Sequence, residues 1–494
     1  MKRHIIAITL LLVTLSAQAQ EAQPDATYRL LRHAYKVNPD GTVDYNFRKE
    51  LTILRNRALT GYADKGETFI VFNPAFETLT INESYTLRKD GSRVYTPKNA
   101  FVEQLPSACA DCARYNGLRE MVVVHTGMEY DCTIVLDYTI HRKSGKVYDD
   151  MLLSEDCPIE RYEVVLDQPK KGALRWDVHV PDGSQVALDM RSNADSTLVT
   201  LSASRLPQGL ADPYLPDAHS LYPSIIVSSG HPDGFAVFDN TEKAIAAKDM
   251  LALLLENDPV EYAYSIANYV VSHVATNAIE PAALDYAVSP AAVTWGSDCG
   301  TPADKTQLLA AMLRQAGFKA RAAMEQGIPV AHVTIKGMDY PLSATSKNAP
   351  AIATASSPHA DIIAWEGKEL GAGYSQATLP QDDMGYNASF LLASRQAPLW
   401  IRAHRADNSQ TLALPQGARL VTAPYERRRE SRRKLADGRP LWSMETSLRQ
   451  EGDKVVVTRK FAINEDCAIS GGDYADFRSA LVEWQGSRQL TIKK

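Results

Sequence analysis

The sequence predicts a multidomain α+β protein: an N-terminal β-sandwich, a central α+β core and a C-terminal β-sandwich. Three observations predict it. Short runs alternating apolar and polar residues, separated by turn signals, fill positions 28–206, the period of half-buried antiparallel strands. Apolar spacing then changes to the helical period over 243–316. Alternation returns from about Asn387 to the end. With 494 residues and roughly 150 residues per domain, about three domains are expected.

The first 19 positions are set apart from the fold. Lys2 and Arg3 precede an apolar stretch, 5–15, and Ala17-Gln18-Ala19 supplies the small-x-small pattern of a cleavage site. The apolar run is too short for the roughly 20 residues that span a bilayer. Residues 1–19 therefore read as a secretory signal peptide. The mature chain is expected to have no integral membrane segment and to be exported to the periplasm or envelope of a Gram-negative bacterium.

Between 20 and 206, strands are expected at 78–87, 121–125, 133–140, 162–166 and 176–180, the last ending on Pro181-Asp182-Gly183. Positions 207–223, rich in Pro and Asp, read as a linker. A domain at 224–350 follows, with helices expected at 243–255 and 260–276. Its best-defined element opens at Thr301. Thr301 suits an N-cap, Pro302 the first helical position and Asp304 the acid of a capping box. Leu308, Leu309, Met312, Leu313 and Ala316 line one face, and Gly317 suits the left-handed residue that closes the helix. Strands are expected at 320–325, 331–335 and 340–342. The last domain, 351–494, is read as strands such as 454–463 and 488–492 with a short helix at 474–484.

The formal net charge of −6 lacks the clustered basic face that nucleic acid requires. The run Arg427, Arg428, Arg429, Arg432, Arg433 and Lys434, broken by Glu426 and Glu430, reads as a solvated loop. Cys109 and Cys112 form a lone CxxC without the second pair zinc needs, so a local disulfide or two free thiols is expected. His125, His141, His219 and His231 show no metal spacing, and no cofactor or metal is implied.

The segment Pro302-Ala303-Asp304-Lys305-Thr306-Gln307-Leu308-Leu309 resembles the motif Cys-x-Asp-x-x-x-Leu-Leu of the transglutaminase-like superfamily at every position but the first. Ser289-Pro290-Ala291-Ala292-Val293-Thr294-Trp295 resembles the stretch before that family's nucleophile, and Ala331-His332-Val333-Thr334-Ile335 its histidine strand. Leu342-Ser343-Ala344-Thr345 stands where the family carries its aspartate. The segments 80–85 and 118–122 look like a domain of unknown function fused to such cores in Bacteroidetes-type bacteria, and 472–478 like their C-terminal β-domain.

This resemblance implies a papain-like central core with a Cys, His, Asp triad, of which this chain keeps His332 and replaces the others with Pro302 and Ser343. Proline has no ionisable atom, so the expectation is a non-catalytic protein binding peptide, protein or glycan in the envelope. The alternative is a thiol amidase, protease or acyltransferase using Cys299, three residues upstream, with His332 as base. Asp339 is read as a turn residue, able to replace the missing carboxylate only if its hairpin folds back.

Overall fold

The computed structural model describes residues 24–60, 65–231, 233–243, 247–252, 254, 258–325, 327–346, 353–356, 362–379, 391–401, 403–486 and 488–494. The expected signal peptide, 1–19, lies outside the described residues.

An eight-stranded sheet dominates the N-terminal part. In spatial order its strands are Leu188–Ser192, Leu198–Leu206, Ile159–Asp167, Ala26–Val37, Val43–Ile53, Thr133–Arg142, Glu77–Leu87 and Arg93–Tyr95. Only Ala26–Val37 and Ile159–Asp167 run parallel. Ile134, Leu136 and Ile140 point to one face of Thr133–Arg142, as the period of two requires, and there they meet two smaller sheets. One consists of Arg175–His179, Ser224–Ser228 and Tyr148–Leu152, the other of Glu67–Phe72, Arg119–Val124 and Phe101–Gln104. The opposite face is polar, with Arg48 paired to Glu50, Glu83 and Asp137.

The segment 207–223 is fastened at both ends. Ser224–Ser228 returns between two strands of the N-terminal part. Asp212 Oδ2 accepts hydrogen bonds from Gln396 and Ala397 N, and Tyr214 O from Trp400 N, tying the same segment to the C-terminal part.

The helix Pro302–Gln315 forms where its caps predict. Thr301 Oγ1 accepts from Asp304 N at 3.2 Å, Asp304 Oδ2 from Thr301 N at 3.0 Å, and Gly317 follows at φ +93°. Its burial exceeds the single apolar face expected, because every residue from Asp304 to Leu313 is buried. Helices Pro259–His273 and Ala291–Ser297 and the antiparallel strands Lys319–Glu325, Ile328–Ile335 and Met338–Leu342 surround it. Each large apolar side chain buried there contributes about 1.5–3 kcal/mol.

In the C-terminal part, His404–Ala413, Lys454–Ile463, Trp442–Glu451 and Tyr425–Glu430 build one sheet, and Lys368–Gly371, Tyr374–Leu379, Arg488–Lys493 and Arg419–Leu420 another. Helix Gly471–Gln485 packs Phe477 and Trp484 against Trp442 and Phe461. The basic run is only in part the loop expected: Arg427–Arg429 sit on an edge strand, Arg432 and Arg433 follow in a loop, and the run pairs with Glu483, Glu445, Asp476 and Glu430.

The fold class needs correction. Strand accounts for 44% and helix for 18% of the described residues, so these form a mainly β molecule of several sheets rather than an α+β protein built on a papain-like core. Part of the reason lies at 243–276, where the helical spacing at 243–255 yields, among the described residues, only the four-residue helix Lys248–Leu251. Apolar spacing without a good cap or sufficient length does not hold an isolated helix.

Candidate functional site

The start of the central helix is organised around one carboxylate. Asp304, with a side chain 1% exposed, accepts from Tyr115 Oη at 2.7 Å, Arg114 Nη2 at 2.8 Å and Ser289 N at 2.6 Å, besides Thr301 N. Burial alone would raise its pKa. The hydrogen bonds from Tyr115 and Ser289, the Arg114 charge and the Thr301 amide together hold it below the usual carboxylate range. Gly300 permits this approach, since a Cβ there would lie 2.9 Å from Asp304 Cβ and 3.0 Å from Thr294 Cγ2. Arg114 and Tyr115 belong to the loop after Cys112, so the capping acid also fastens the N-terminal part to the helix. Capping chemistry alone gives no hint of these two partners.

The same loop is tied covalently. Cys299, on the two-residue strand Cys299–Gly300, forms a disulfide with Cys112 across a Cα separation of 6.2 Å. Both cysteines sit in an apolar cluster with Cys109, Tyr115, Leu118 and Ile279. The local CxxC disulfide is thereby corrected: Cys112 pairs 187 residues away, and Cys109 is a buried free thiol whose pKa burial pushes up. While the disulfide holds, Cys299 has no thiolate to offer.

Pro302 occupies the first helical position and lines a cavity of about 160 Å³ with Thr301, Ala303, Phe235, Tyr286 and Met324. The lining is mostly apolar. Tyr148 also borders it, with a buried hydroxyl that has no hydrogen-bond partner among the described residues, and burial pushes its phenol up to about 12. Gly327, at φ +80°, lies against that hydroxyl, 2.7 Å from where a Cβ would be.

His332 is on the other side. Ala331, Val333 and Ile335 point into the core beneath the central helix, so His332 projects from the opposite face of its strand. There its Nδ1 meets Asp339 Oδ2 and its Nε2 meets Glu325 Oε1, each at 2.7 Å. Both ring nitrogens are therefore taken up by carboxylate oxygens. Asp339, expected as a turn residue unless its hairpin folds back, reaches His332 because the two strands do fold back on each other, Thr334 pairing with Asp339 and His332 with Pro341. Ser343 Oγ instead accepts from the backbone of Thr345 and Ser346, closing the turn after Met338–Leu342.

Residues 39–208 match a family described as a domain of unknown function, DUF3857.

The match covers most of the eight-stranded sheet and lies where the sequence resembles such a domain. No curated protein matches the chain. Among solved structures, a crystal structure from Parabacteroides distasonis ATCC 8503, provisionally named a protease, matches at TM-score 0.74 and 24% identity, over 95% of this chain and 99% of that one. That likeness shows a shared fold. A second match, to an M1 zinc metallopeptidase from Deinococcus radiodurans, has a TM-score of 0.20 at 9% identity over 59% of this chain and 64% of that one, too low to carry an argument.

Proposed function

We propose that this chain is an exported, non-catalytic transglutaminase-like protein that binds peptide segments, taking an apolar side chain into the cavity at Pro302. The observation that carries the reading is the separation of the expected chemical groups. The cavity wall presents Pro302 and no nucleophile, Cys299 is held in a disulfide, and His332 faces away from the central helix between two carboxylates.

The cavity suits one side chain, being smaller than the roughly 300–1,000 Å³ typical of small-molecule pockets. Its apolar lining disfavours glycan, while the Tyr148 hydroxyl supplies a donor for a peptide carbonyl beside the side chain. Export is supported by the disulfide, which persists in oxidising compartments. No described helix is long and apolar enough to cross a membrane.

The test is titration of the full chain with acetylated and amidated leucine peptides, followed by NMR, alongside mass spectrometry for cleavage products and acyl adducts. Saturable binding without turnover is expected, weakened at least tenfold by Ala303→Phe, which fills the cavity. Amide turnover abolished by both Cys299→Ala and His332→Ala would replace this reading with the thiol enzyme.

A further inference from the structure

A second cleft, of about 460 Å³, opens on the outward face of the sheet formed by Arg175–His179, Ser224–Ser228 and Tyr148–Leu152. The strand period explains its chemistry. Trp176 and Val178 pack toward the core, while Arg175, Asp177 and His179 are exposed. In register, Asp177 stands beside Ile226 and Ile226 beside Asp150; His179 stands beside Ser224. Asp217 and Asp233 add two carboxylates at the walls, against one guanidinium, Arg175.

Two atoms in this cleft lack the partners their burial demands. Ser224 is 0% exposed, and its hydroxyl has no hydrogen-bond partner among the described residues. Asp150 Oδ2 is held by His219 Nε2 at 2.7 Å, but Asp150 Oδ1 is buried without a partner among them. A buried hydroxyl or carboxylate oxygen left unbonded is costly, more so when charged, so both are placed to be satisfied by a bound group that donates.

We infer that this cleft binds an organic cation, the ammonium or guanidinium of a lysine or arginine side chain, on a peptide whose neighbouring apolar residue occupies the cavity at Pro302. The carboxylates are spread over the face rather than gathered on one point. Asp177 and Asp150 lie two strand spacings apart, roughly 9–10 Å, and among the described residues no three His, Cys, Asp or Glu side chains could hold a metal ion. Such spacing suits a cation on a flexible stem that donates to Asp150 and Ser224 while Asp177, Asp217 and Asp233 supply a negative field.

The two cavities are neighbours along the chain at three places. Tyr148 borders one and Asp150 the other, two residues apart on one strand. Asp233 and Gly234 divide in the same way, and Ile328 sits between Gly327 and Pro329. Tyr148 and Asp150 stand about 6.6 Å apart along their strand, a span that the long flexible stem of a lysine or arginine next to the apolar residue can cover. The inference rests on the peptide reading above for its apolar anchor, while the charge preference belongs to this cleft alone.

The experiment compares acetyl-Leu-Lys-amide, acetyl-Leu-Gln-amide, acetyl-lysine-amide and methyl glucoside on the full-length protein, by NMR titration at low and high salt. The lysine dipeptide should bind at least tenfold more tightly than the glutamine one, and the preference should shrink with salt. It should fall below threefold in Asp177→Asn, an exposed position whose change leaves the core intact, and in Ser224→Ala. In Ala303→Phe both dipeptides should weaken while acetyl-lysine-amide is unaffected. Equal affinity for the lysine and glutamine dipeptides, a preference undiminished in Asp177→Asn, or saturation by methyl glucoside without a lysine response would each overturn the inference. Failure of Ala303→Phe to weaken the dipeptides would instead remove the apolar anchor and leave the charge preference standing.

Discussion

The start of the central helix and the outer face of the hairpin behind it treat their carboxylates in opposite ways. Asp304 is buried and surrounded by four donors from three stretches of chain. Asp339 and Glu325 are each about half exposed (50%) and share one imidazole. The first arrangement holds two parts of the molecule together, because removing any donor leaves a buried charge short of a partner. The second leaves both carboxylates half in water, although the imidazole between them is itself buried.

The largest way to break this contrast is Asp304→Ala, which strands Arg114 and Tyr115 and removes one half of the capping box. It should destabilise the protein by about 3–5 kcal/mol in denaturant titration, and a loss under 1 kcal/mol would deny Asp304 its role as a hub. Next comes the covalent tie beside it. Cys112→Ala should cost about 2–5 kcal/mol, and a reducing agent should lower the melting temperature of the unmodified protein but not of the Cys112→Ala, Cys299→Ala pair.

Lys305 sharpens the same region through pH. Its ammonium is fully buried and donates only to neutral oxygens, Val274 O at 2.6 Å and Thr276 Oγ1 at 2.8 Å, and burial lowers its pKa from 10.5 to about 8. Between those values the unfolded chain binds more protons than the folded one, so this group makes stability rise with pH, from about 8 until 10.5. The gain should reach roughly 3 kcal/mol and be absent in Lys305→Met, read as the difference between the two pH profiles. The smallest effect belongs to the outer face. His332→Gln removes a buried imidazole bonded to two half-exposed carboxylates and should cost about 1–3 kcal/mol while leaving peptide binding unaltered; a tenfold loss of binding would return His332 to the site.

What could be read from the sequence was local. Thr301, Asp304 and Gly317 mark the central helix because capping acts over three or four residues, and Lys454–Ile463 appears where alternation placed it. The pairing of Cys112 with Cys299 depends on how distant segments meet, and nothing in the CxxC spacing reports it. Motif spacing around His332 correctly places it on a strand, yet the face it takes is fixed by which neighbours the core claims, here Ala331 and Val333. For Asp339 the sequence leaves one condition open, whether the hairpin folds back, and strand pairing decides it, since a residue beside a turn lies across the hairpin from the strand it follows.

The disulfide also sets a timetable for the chain. Synthesis runs from the N-terminus, so Cys112 appears together with Cys109 and ahead of Cys132 and Cys157, all three of which finish as buried free thiols, while its true partner is made 187 residues later. During that interval every cysteine within reach of Cys112 is a wrong one, the nearest three positions away. Maturation therefore needs either a reductant that keeps these thiols apart until Cys299 arrives or an isomerase that undoes early mispairing by thiol–disulfide exchange. Yield of the correctly bonded protein should be governed by that enzyme supply more than by the stability of the finished fold.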